Sequence, residues 1–335
     1  MHAMESLMEI GRGLANRRDP RLRDYIMQSS CVPLTAAMVA YLVLISYGPL
    51  FMKNRRSPPL KRVMTLYNIG QVCLSFYMMM EFWLSRPSNK LCSPIEVSDN
   101  SKAIRLANAC WVFHISKLVD FLDTVFLVLK KDNKRLTYLH VYHHGSMAFG
   151  FWLCTLFVPG GSAWIAGVIN SFVHCVMYGY YLLASLGPRV RPYLWWKRYL
   201  TQLQLAQFAF IVVAAWTVQM PSMRCGLPFW TCSMSAVYLV VLSALFLNFY
   251  RQSYGGPAAA CGAIHPPQPV TTPTDVTPPA YVTEKPKTEP APAPLPAPEL
   301  EKPAEKSLSD YRVGTLNHFV RAMMSHGFGC FIKED

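Results

Sequence analysis

The stretch that decides the fold is LTYLHVYHHGSMAFGFWLCTLFVP, residues 136–159. It is long and apolar enough for one membrane-spanning helix, which needs about 20 residues. It also carries His140, His143 and His144, and positions i, i+3 and i+4 lie on one face of a helix. A lone histidine on an apolar face is usually a hydrogen-bonded core residue, but three on one face of a membrane helix rarely are. We therefore predict a histidine cluster buried within a bilayer, at the site of the protein's chemistry.

The rest of the chain predicts six further membrane-spanning helices. Of its 335 residues, 52% are hydrophobic and only 15% are charged, which is too apolar for an average soluble domain. Buried helices of a soluble bundle would need polar outer faces, and residues 32–52 and 228–250 have none. The predicted fold class is an all-α membrane protein with seven transmembrane helices. They lie near residues 32–52, 63–84, 107–129, 137–158, 163–186, 199–220 and 228–250.

The positions of the basic residues indicate how these spans are oriented. The net charge of +13 suggests nucleic acid binding at first, but the basic residues lie in loops, so we expect no nucleic-acid partner. The loops after the first, third and fifth spans hold 13 Lys and Arg, against 5 in the three alternate loops. The positive-inside rule then places the N-terminus in the lumen and the C-terminus in the cytosol. Five arginines between residues 12 and 23 oppose this orientation.

The two ends of the chain differ from the span region. Residues 1–31 are a polar segment without the apolar stretch of a signal peptide, so the first span must itself direct insertion. Residues 32–252 are the predicted seven-span catalytic domain. Residues 253–335 are predicted to be a disordered cytosolic tail, because 14 of the 26 prolines fall within 257–303 and such a composition cannot form a packed core.

The ten cysteines do not follow the spacing of a metal site. Cys92 and Cys225 both fall in loops assigned to the lumen, where oxidation is permitted. The sequence therefore allows a disulfide between them, with two free thiols as the alternative.

Three other spans carry polar side chains at helical spacing. An ionisable group inside a span costs about 2.5–3.5 kcal/mol on insertion scales, so each one needs a reason to be there. One face of the third span carries Lys117, Asp120 and Asp123, with Thr124. An ion pair that tethers helices is the alternative explanation of this face.

The fifth and sixth spans also have polar faces. They are Asn170, His174, Met177, Tyr178 and Tyr181 in the fifth span, and Thr201, Gln204 and Gln207 in the sixth. Interhelical hydrogen bonding would also account for the glutamines. Polar faces on four consecutive spans predict a polar pocket inside a helical barrel.

Such a pocket has several chemical interpretations. Imidazole can act as a general base, a metal ligand or an acyl-accepting nucleophile. The pattern H-x-x-H-H is also a histidine box of membrane di-iron desaturases and hydroxylases, which use about eight histidines. Only five fall within the spans here: His114, His140, His143, His144 and His174. A non-enzymatic transporter or receptor is a third hypothesis, although no pair of segments resembles an inverted repeat.

Four segments, in order and spacing, resemble the motifs of the very-long-chain fatty acid elongase family. The motifs are K-x-x-E-x-x-D-T, H-x-x-H-H, N-x-x-x-H-x-x-M-Y-x-Y-Y and T-x-x-Q-x-x-Q. They stand here as Lys117 to Thr124, His140 to His144, Asn170 to Tyr181 and Thr201 to Gln207. The resemblance covers roughly residues 30–252. Two residues depart from it: Asp120 replaces the usual Glu, and Arg135 stands where many polyunsaturated-type members have Gln.

The resemblance implies an acyltransferase of the endoplasmic reticulum membrane. It would condense a long-chain acyl-CoA with malonyl-CoA to 3-oxoacyl-CoA, CO2 and CoA, with no metal and no cofactor. Spans two to seven would form a barrel around the catalytic pocket and an acyl tunnel. The partners implied are the reductases and dehydratase of the elongation cycle and membrane lipid, with a homodimer as a further expectation.

The resemblance also implies roles for individual residues. His143 would be the nucleophile that accepts the acyl group, with His140 and His144 beside it. His174 and Asn170 would stabilise oxyanion charge, while Asp120 and Asp123 orient the imidazoles or Lys117. The substrate-binding set is Tyr178, Tyr181, Thr201, Gln204 and Gln207, together with Lys130, Lys131, Arg135, Lys197 and Arg198 for the phosphates of CoA.

Overall fold

The computed structural model describes residues 17–87, 92–220, 225 and 229–254. Within them the chain forms eight α-helices and two short 3-10 helices, Pro20–Leu22 and Arg191–Leu194, and no strand. The α-helices are α1 (Val32–Met52), α2 (Lys61–Leu84), α3 (Ser101–Val119), α4 (Phe121–Leu129), α5 (Tyr138–Phe157), α6 (Ala163–Ser185), α7 (Lys197–Thr217) and α8 (Phe229–Tyr254). The predicted tail, residues 253–335, lies outside the described residues except for its first two positions.

Local sequence signals fix where the helices of the site begin. The hydroxyl of Thr137 accepts a hydrogen bond from the backbone N–H of His140 at 3.3 Å, which caps the N-terminus of α5. Asn100 caps α3 in the same way, through the N–H of Lys102 at 3.0 Å. The first cap sets the start of the histidine helix at Tyr138, two residues before His140, so all three imidazoles fall within its first two turns.

Five of the described helices are long and apolar enough to cross a membrane. They are α1, α2, α6, α7 with the 3-10 turn before it, and α8. They coincide with five of the seven predicted spans, and the protein is therefore a multi-span membrane protein. The predicted spans at 107–129 and 137–158 do not pass the same test of length and composition. Residues 107–129 are divided between α3, which carries basic side chains, and α4, which has only 9 residues, while α5 carries the three histidines.

The span predicted near residues 107–129 is divided between two helices. α3 ends at Val119 and α4 begins at Phe121, on either side of Asp120. The N–H of Asp123 bonds to the carbonyl oxygen of Asp120 at 3.1 Å, a three-residue turn that is tighter than the four-residue repeat of an α-helix. Residue spacing does not reveal such a turn, because it depends on the partners that Asp120 finds on other helices.

The helices pack against one another in a continuous series of neighbours. The contacts run from α2 to α3, α5, α8, α7, α6 and back to α2, while α1 lies against α4 and α5. The closest approach joins α2 to α6: a β-carbon added to Gly167 would lie 2.6 Å from the ring of Phe82. Small residues allow membrane helices to approach in this way. The buried face of α2 therefore lies directly against the helix that carries Asn170 and His174.

Residues 17–31 pack across one end of these helices. The guanidinium of Arg21 donates to the carbonyl oxygens of Pro159 and Ala103, at 2.9 Å each, and pairs with Asp19. The backbone N–H of Asp19 in turn donates to the carbonyl oxygen of Leu156 at 2.8 Å. Because charge and hydrogen bonds are satisfied inside the protein, this polar segment is held against the ends of α3 and α5.

A disulfide joins two loops at the same end of the molecule. It connects Cys92 and Cys225, whose Cα atoms are 5.1 Å apart, and these are the two cysteines that the sequence places on one side of the membrane. Next to it, the backbone N–H of Ser93 donates to the hydroxyl of Ser162 at 2.9 Å. The loops after α2, after α5 and before α8 are thus tied together.

Candidate active site

The three imidazoles of α5 form one compact group. The ring centres of His140 and His144 are 4.3 Å apart, and those of His143 and His144 are 5.2 Å apart. His140 Nε2 lies 2.9 Å from the hydroxyl oxygen of Thr124 on α4. His143 lies edge-on to Phe246 of α8, with ring centres 6.2 Å apart. His140 and His143 therefore have different neighbours on other helices, although all three imidazoles share one helix face.

A buried lysine connects α3 to α6 beside this group. Lys117 is 3% exposed, and its Nζ lies 3.3 Å from Asn170 Oδ1 and 3.7 Å from Asp120 Oδ2. The same ammonium lies 4.3 Å from the centre of the Phe113 ring. A cation in this position has exchanged water for a carboxylate, an amide oxygen and an aromatic face, so it supplies fixed positive charge to an enclosed site.

Two carboxylates share a single tyrosine. Tyr178 on α6 is 1% exposed, and its hydroxyl lies 3.0 Å from Asp120 Oδ1 and 2.7 Å from Asp123 Oδ2. A phenol has only one proton to donate. The second of these contacts is favourable only if one carboxyl group holds a proton, which would leave one carboxylate to balance the charge of Lys117.

His174 and the polar residues of α7 extend the site. His174 is 9% exposed and lies one helical turn from Tyr178, with ring centres 5.8 Å apart. Gln204 Nε2 lies 3.5 Å from the sulfur of Met177, so the amide has a weak partner only. Thr201 and Gln207 are buried, and among the described residues Gln207 Oε1 has no hydrogen-bond partner. A buried polar atom without a partner costs about 1–3 kcal/mol, so these amides are available to a ligand.

The basic residues expected to bind CoA all lie at the surface, at the end of the molecule opposite the disulfide. Three basic loops meet there, since Lys131 Nζ donates to the carbonyl oxygen of Lys53 at 3.0 Å and Lys61 lies close to Gly187. Lys130, Lys131, Arg135, Lys197 and Arg198 are exposed, as is Tyr181 at 41%. Arg135 donates to Asp132 at 2.7 Å and lowers the pKa of that carboxyl, so its guanidinium is already partly engaged.

Sequence reasoning missed two polar residues of α2 that reach the carboxylates. Gln71 Nε2 lies 2.6 Å from Asp120 Oδ1 and 3.0 Å from the hydroxyl of Tyr67. Both residues lie within the second predicted span at positions i and i+4, and their polarity inside a span was the available signal. Ser146 and Tyr238 were also missed; their hydroxyls, 2.8 Å apart, join α5 to α8 beside His143.

Metal ligation was one interpretation of the histidines. Within the part of the chain that the structure describes, no group of three or more His, Cys, Asp or Glu side chains could hold a metal ion. What the structure does bring together is a set of imidazoles, an ammonium, two carboxyl groups and amides, drawn from α2 to α7. Such a set can carry out proton transfer, nucleophilic attack and stabilisation of oxyanion charge.

The fold and the site define a multi-span helical membrane protein with an enclosed group of ionisable side chains. Residues 26–260 match the model of the ELO (GNS1/SUR4) family, and the chain belongs to that family.

The chain is also similar to several curated proteins. It is 42% identical over 241 residues to "Very long chain fatty acid elongase 2" of Rattus norvegicus, covering 71% of this chain and 85% of the relative. Against "Very long chain fatty acid elongase 7" of Drosophila melanogaster the identity is 38% over 244 residues, 71% of this chain and 74% of the relative. A third relative is "Very long chain fatty acid elongase 4" of Macaca mulatta, 36% identical over 258 residues, 76% of this chain and 82% of the relative. Family and relatives assign the protein to fatty acid elongation.

Proposed function

We propose that the protein condenses a long-chain acyl-CoA with malonyl-CoA, giving 3-oxoacyl-CoA, CO2 and CoA. The observation that carries this proposal is the meeting of three of the family's four motif segments in one polar cluster. Thr124 contacts His140 at 2.9 Å, Lys117 contacts Asn170 at 3.3 Å, and Tyr178 contacts Asp123 at 2.7 Å. Residues far apart in sequence thus supply a nucleophile candidate, a fixed cation and proton-holding groups within one site.

The reaction would run through an acyl-histidine. An imidazole nitrogen of His143 attacks the thioester carbon of the acyl-CoA, the C–S bond breaks, and CoA leaves as a thiol after taking up a proton. Malonyl-CoA then binds and loses CO2, and the resulting enolate attacks the acyl carbon. The C–N bond breaks as the new C–C bond forms, and the departing imidazolate takes up a proton from water, which regenerates neutral His143 and releases the lengthened product. Atoms and charge balance without an oxidant or a metal.

The neighbouring side chains would stabilise the charges that develop. His174 and Asn170 lie on one face of α6, and Lys117 contacts Asn170, so an oxyanion there would meet both amide and cationic donors. Asp120 and Asp123 would hold Lys117 and the proton of Tyr178 in place. Because these groups are buried, they require little reorganisation when the charge appears.

We further propose a location and a route for the substrates. Three basic loops meet at one end of the helices, which we place in the cytosol; the C-terminus would lie on this side, and the N-terminus in the lumen of the endoplasmic reticulum. There Lys130, Lys131, Arg135, Lys197 and Arg198 would meet the phosphates of CoA. The six spans after the first would form a barrel, and the acyl chain would run between them towards the other end. Because the product carries a 3-oxo group, reductases and a dehydratase would follow, and a homodimer is a further proposal.

The experiment that tests the nucleophile is the His143→Ala variant. Purified protein is mixed with acyl-CoA alone, and its intact mass is measured. We expect the wild type to gain the mass of one acyl group and His143→Ala to gain none. With labelled malonyl-CoA added, the variant should lose at least about 100-fold of its rate, because removal of a nucleophile leaves only binding and electrostatic stabilisation.

A matched control is His114→Gln, which removes a buried histidine outside the cluster, since His114 Nδ1 faces Gln28 at 3.3 Å. This variant should retain the acyl adduct. Undiminished condensation by His143→Ala would overturn the assignment of the nucleophile. Stoichiometric bound iron with oxygen-dependent desaturation, or transport without covalent change, would instead overturn the proposed function itself.

A further inference from the structure

We propose that Gln71 of α2, supported by Tyr67, is a positioning residue that acts on Lys117 through Asp120. The proposal rests on the proposed condensation and extends it to a helix that carries none of the family motifs quoted above. Gln71 is 4% exposed, and its amide nitrogen uses one hydrogen on Asp120 Oδ1 at 2.6 Å and directs the other at the hydroxyl oxygen of Tyr67, 3.0 Å away. Both donor hydrogens of the amide are therefore accounted for.

The two oxygens of Asp120 have different partners. Oδ1 accepts from Gln71 at 2.6 Å and contacts the hydroxyl of Tyr178 at 3.0 Å, whereas Oδ2 faces Lys117 Nζ at 3.7 Å. Gln71 on α2 and Tyr178 on α6 thus hold the same oxygen, and together they fix the plane of the carboxylate. The other oxygen is then turned towards the ammonium.

The position of the ammonium matters for the site as a whole. Lys117 Nζ has Asp120 on one side and Asn170 on the other, at 3.7 and 3.3 Å. If the carboxylate rotated, the lysine would lose its attachment and could follow it away from Asn170. A displacement of about 1 Å in a catalytic group can lower a rate about 100-fold, although the displaced group itself is unchanged.

Tyr67 fixes Gln71 in turn. Its ring lies edge-on to Tyr178 and to Phe126, with centres 6.0 and 5.2 Å apart, so the phenol is held from α4 and α6. Its hydroxyl donates to the carbonyl oxygen of Val119 at 3.5 Å and therefore accepts from Gln71. An amide flipped by 180° would present its oxygen to the carboxylate of Asp120, so both neighbours favour the same orientation of the amide. Tyr67 and Gln71 are one turn apart on α2, so a single helix face carries the whole support.

The departure of Asp120 from the family's usual glutamate bears on the same contact. The aspartate side chain is one methylene shorter, and Gln71 is long enough to meet it across the space between α2 and the α3–α4 turn.

The test uses two variants of Gln71 in the purified full-length protein, assayed for condensation of acyl-CoA with labelled malonyl-CoA. Gln71→Leu removes the donor but fills the space, and we expect kcat to fall about 10- to 100-fold with KM for either substrate changed less than about threefold. Gln71→Glu has nearly the shape of glutamine but can donate to Asp120 only when it is protonated. Its rate relative to the wild type should therefore rise as the pH falls between about pH 8 and pH 6, while the relative rate of Gln71→Leu stays flat.

The matched control is Gln219→Leu, in the turn that follows α7. Gln219 also makes two hydrogen bonds, to the carbonyl oxygen of Ala215 and from the hydroxyl of Ser233, at 2.8 Å each, but none to the cluster. It should keep kcat and its pH profile. An unchanged kcat in Gln71→Leu, or parallel pH profiles for the Glu and Leu variants, would overturn the positioning role while leaving the proposed function intact. A wild-type protein that does not condense the two substrates would overturn the proposed function.

Discussion

At the scale of single residues, the site depends on atoms whose partners lie on another helix. His140 has the hydroxyl of Thr124 at 2.9 Å, and Lys117 has Asn170 at 3.3 Å. In each pair one side chain helps to fix the other: Thr124 orients the ring of His140, and Asn170 holds the ammonium of Lys117. The hydroxyl of Thr124 can donate to this ring nitrogen or accept from it, so the contact fixes the orientation of the His140 ring and leaves the opposite ring nitrogen for its own role.

Thr124→Val tests this orientation, because valine has the shape of threonine without its hydroxyl. Loss of one buried hydrogen bond is worth about 0.5–1.5 kcal/mol, so we expect kcat/KM for condensation to fall between about twofold and tenfold. The control is Thr65→Val, which removes a hydroxyl that bonds Lys61 and Ser185 near the ends of α2 and α6. Equal losses in both variants would indicate a general effect on packing.

At the scale of elements, the pairing of α2 with α6 positions the site. Gly167 faces Phe82, and the rings of Phe82 and Phe113 lie 5.8 Å apart in the same apolar cluster. On the same two helices Tyr178 contacts Tyr67 edge-on, with ring centres 6.0 Å apart. The apolar contact therefore sets the distance at which Gln71 and Tyr178 reach Asp120 from opposite helices.

Gly167→Ala should destabilise the protein, because the new β-carbon would lie 2.6 Å from the ring of Phe82. Overpacking of this kind costs about 1–3 kcal/mol, so thermal unfolding in detergent should begin several degrees lower. Gly179→Ala on the same helix is the control, since nothing lies within 4 Å of its added carbon. The double variant Gly167→Ala/Phe82→Leu should recover part of the loss. Equal melting temperatures for the two glycine variants would contradict this packing.

At the scale of the whole molecule, the two ends of the helices are built differently. One end is fastened by the Cys92–Cys225 disulfide, by the contact of Ser93 with Ser162, and by Arg21. The other end collects the exposed basic loops, where Lys131 reaches the backbone of Lys53. This difference between the two ends agrees with the proposal that the CoA substrates enter from the basic end.

Cys92→Ser/Cys225→Ser should unfold at a lower temperature than the wild type. The bond joins residues that are 133 positions apart in the sequence. Loss of a native disulfide typically lowers the free energy of unfolding by about 2–5 kcal/mol. A reducing agent should lower the unfolding temperature of the wild type more than that of the variant, because the variant lacks this bond whereas the disulfide-bonded Cys31 is present in both. Cys73→Ser, at an exposed free cysteine, provides the control. A wild type that is insensitive to reduction would argue against this role of the bond.

The sequence by itself determined the features that depend on local composition. Apolar length predicted five spans that the helices reproduce, and the motif pattern predicted the elongase family to which the chain belongs. Helical spacing placed His140, His143 and His144 on one face. In the structure the ring centre of His144 lies 4.3 Å from that of His140 and 5.2 Å from that of His143. These features follow from the sequence because bilayer thickness and the helical repeat are fixed by backbone geometry.

Only the tertiary structure decided which polar atoms meet. The break at Asp120, the single phenol shared by two carboxyl groups, and the part played by Gln71 all depend on side chains from different helices. Sequence spacing is silent on these contacts, because they are set by how closely α2 approaches α6 and by where α3 turns into α4. Satisfying buried charge is a property of the assembled helices, and no single helix can achieve it alone.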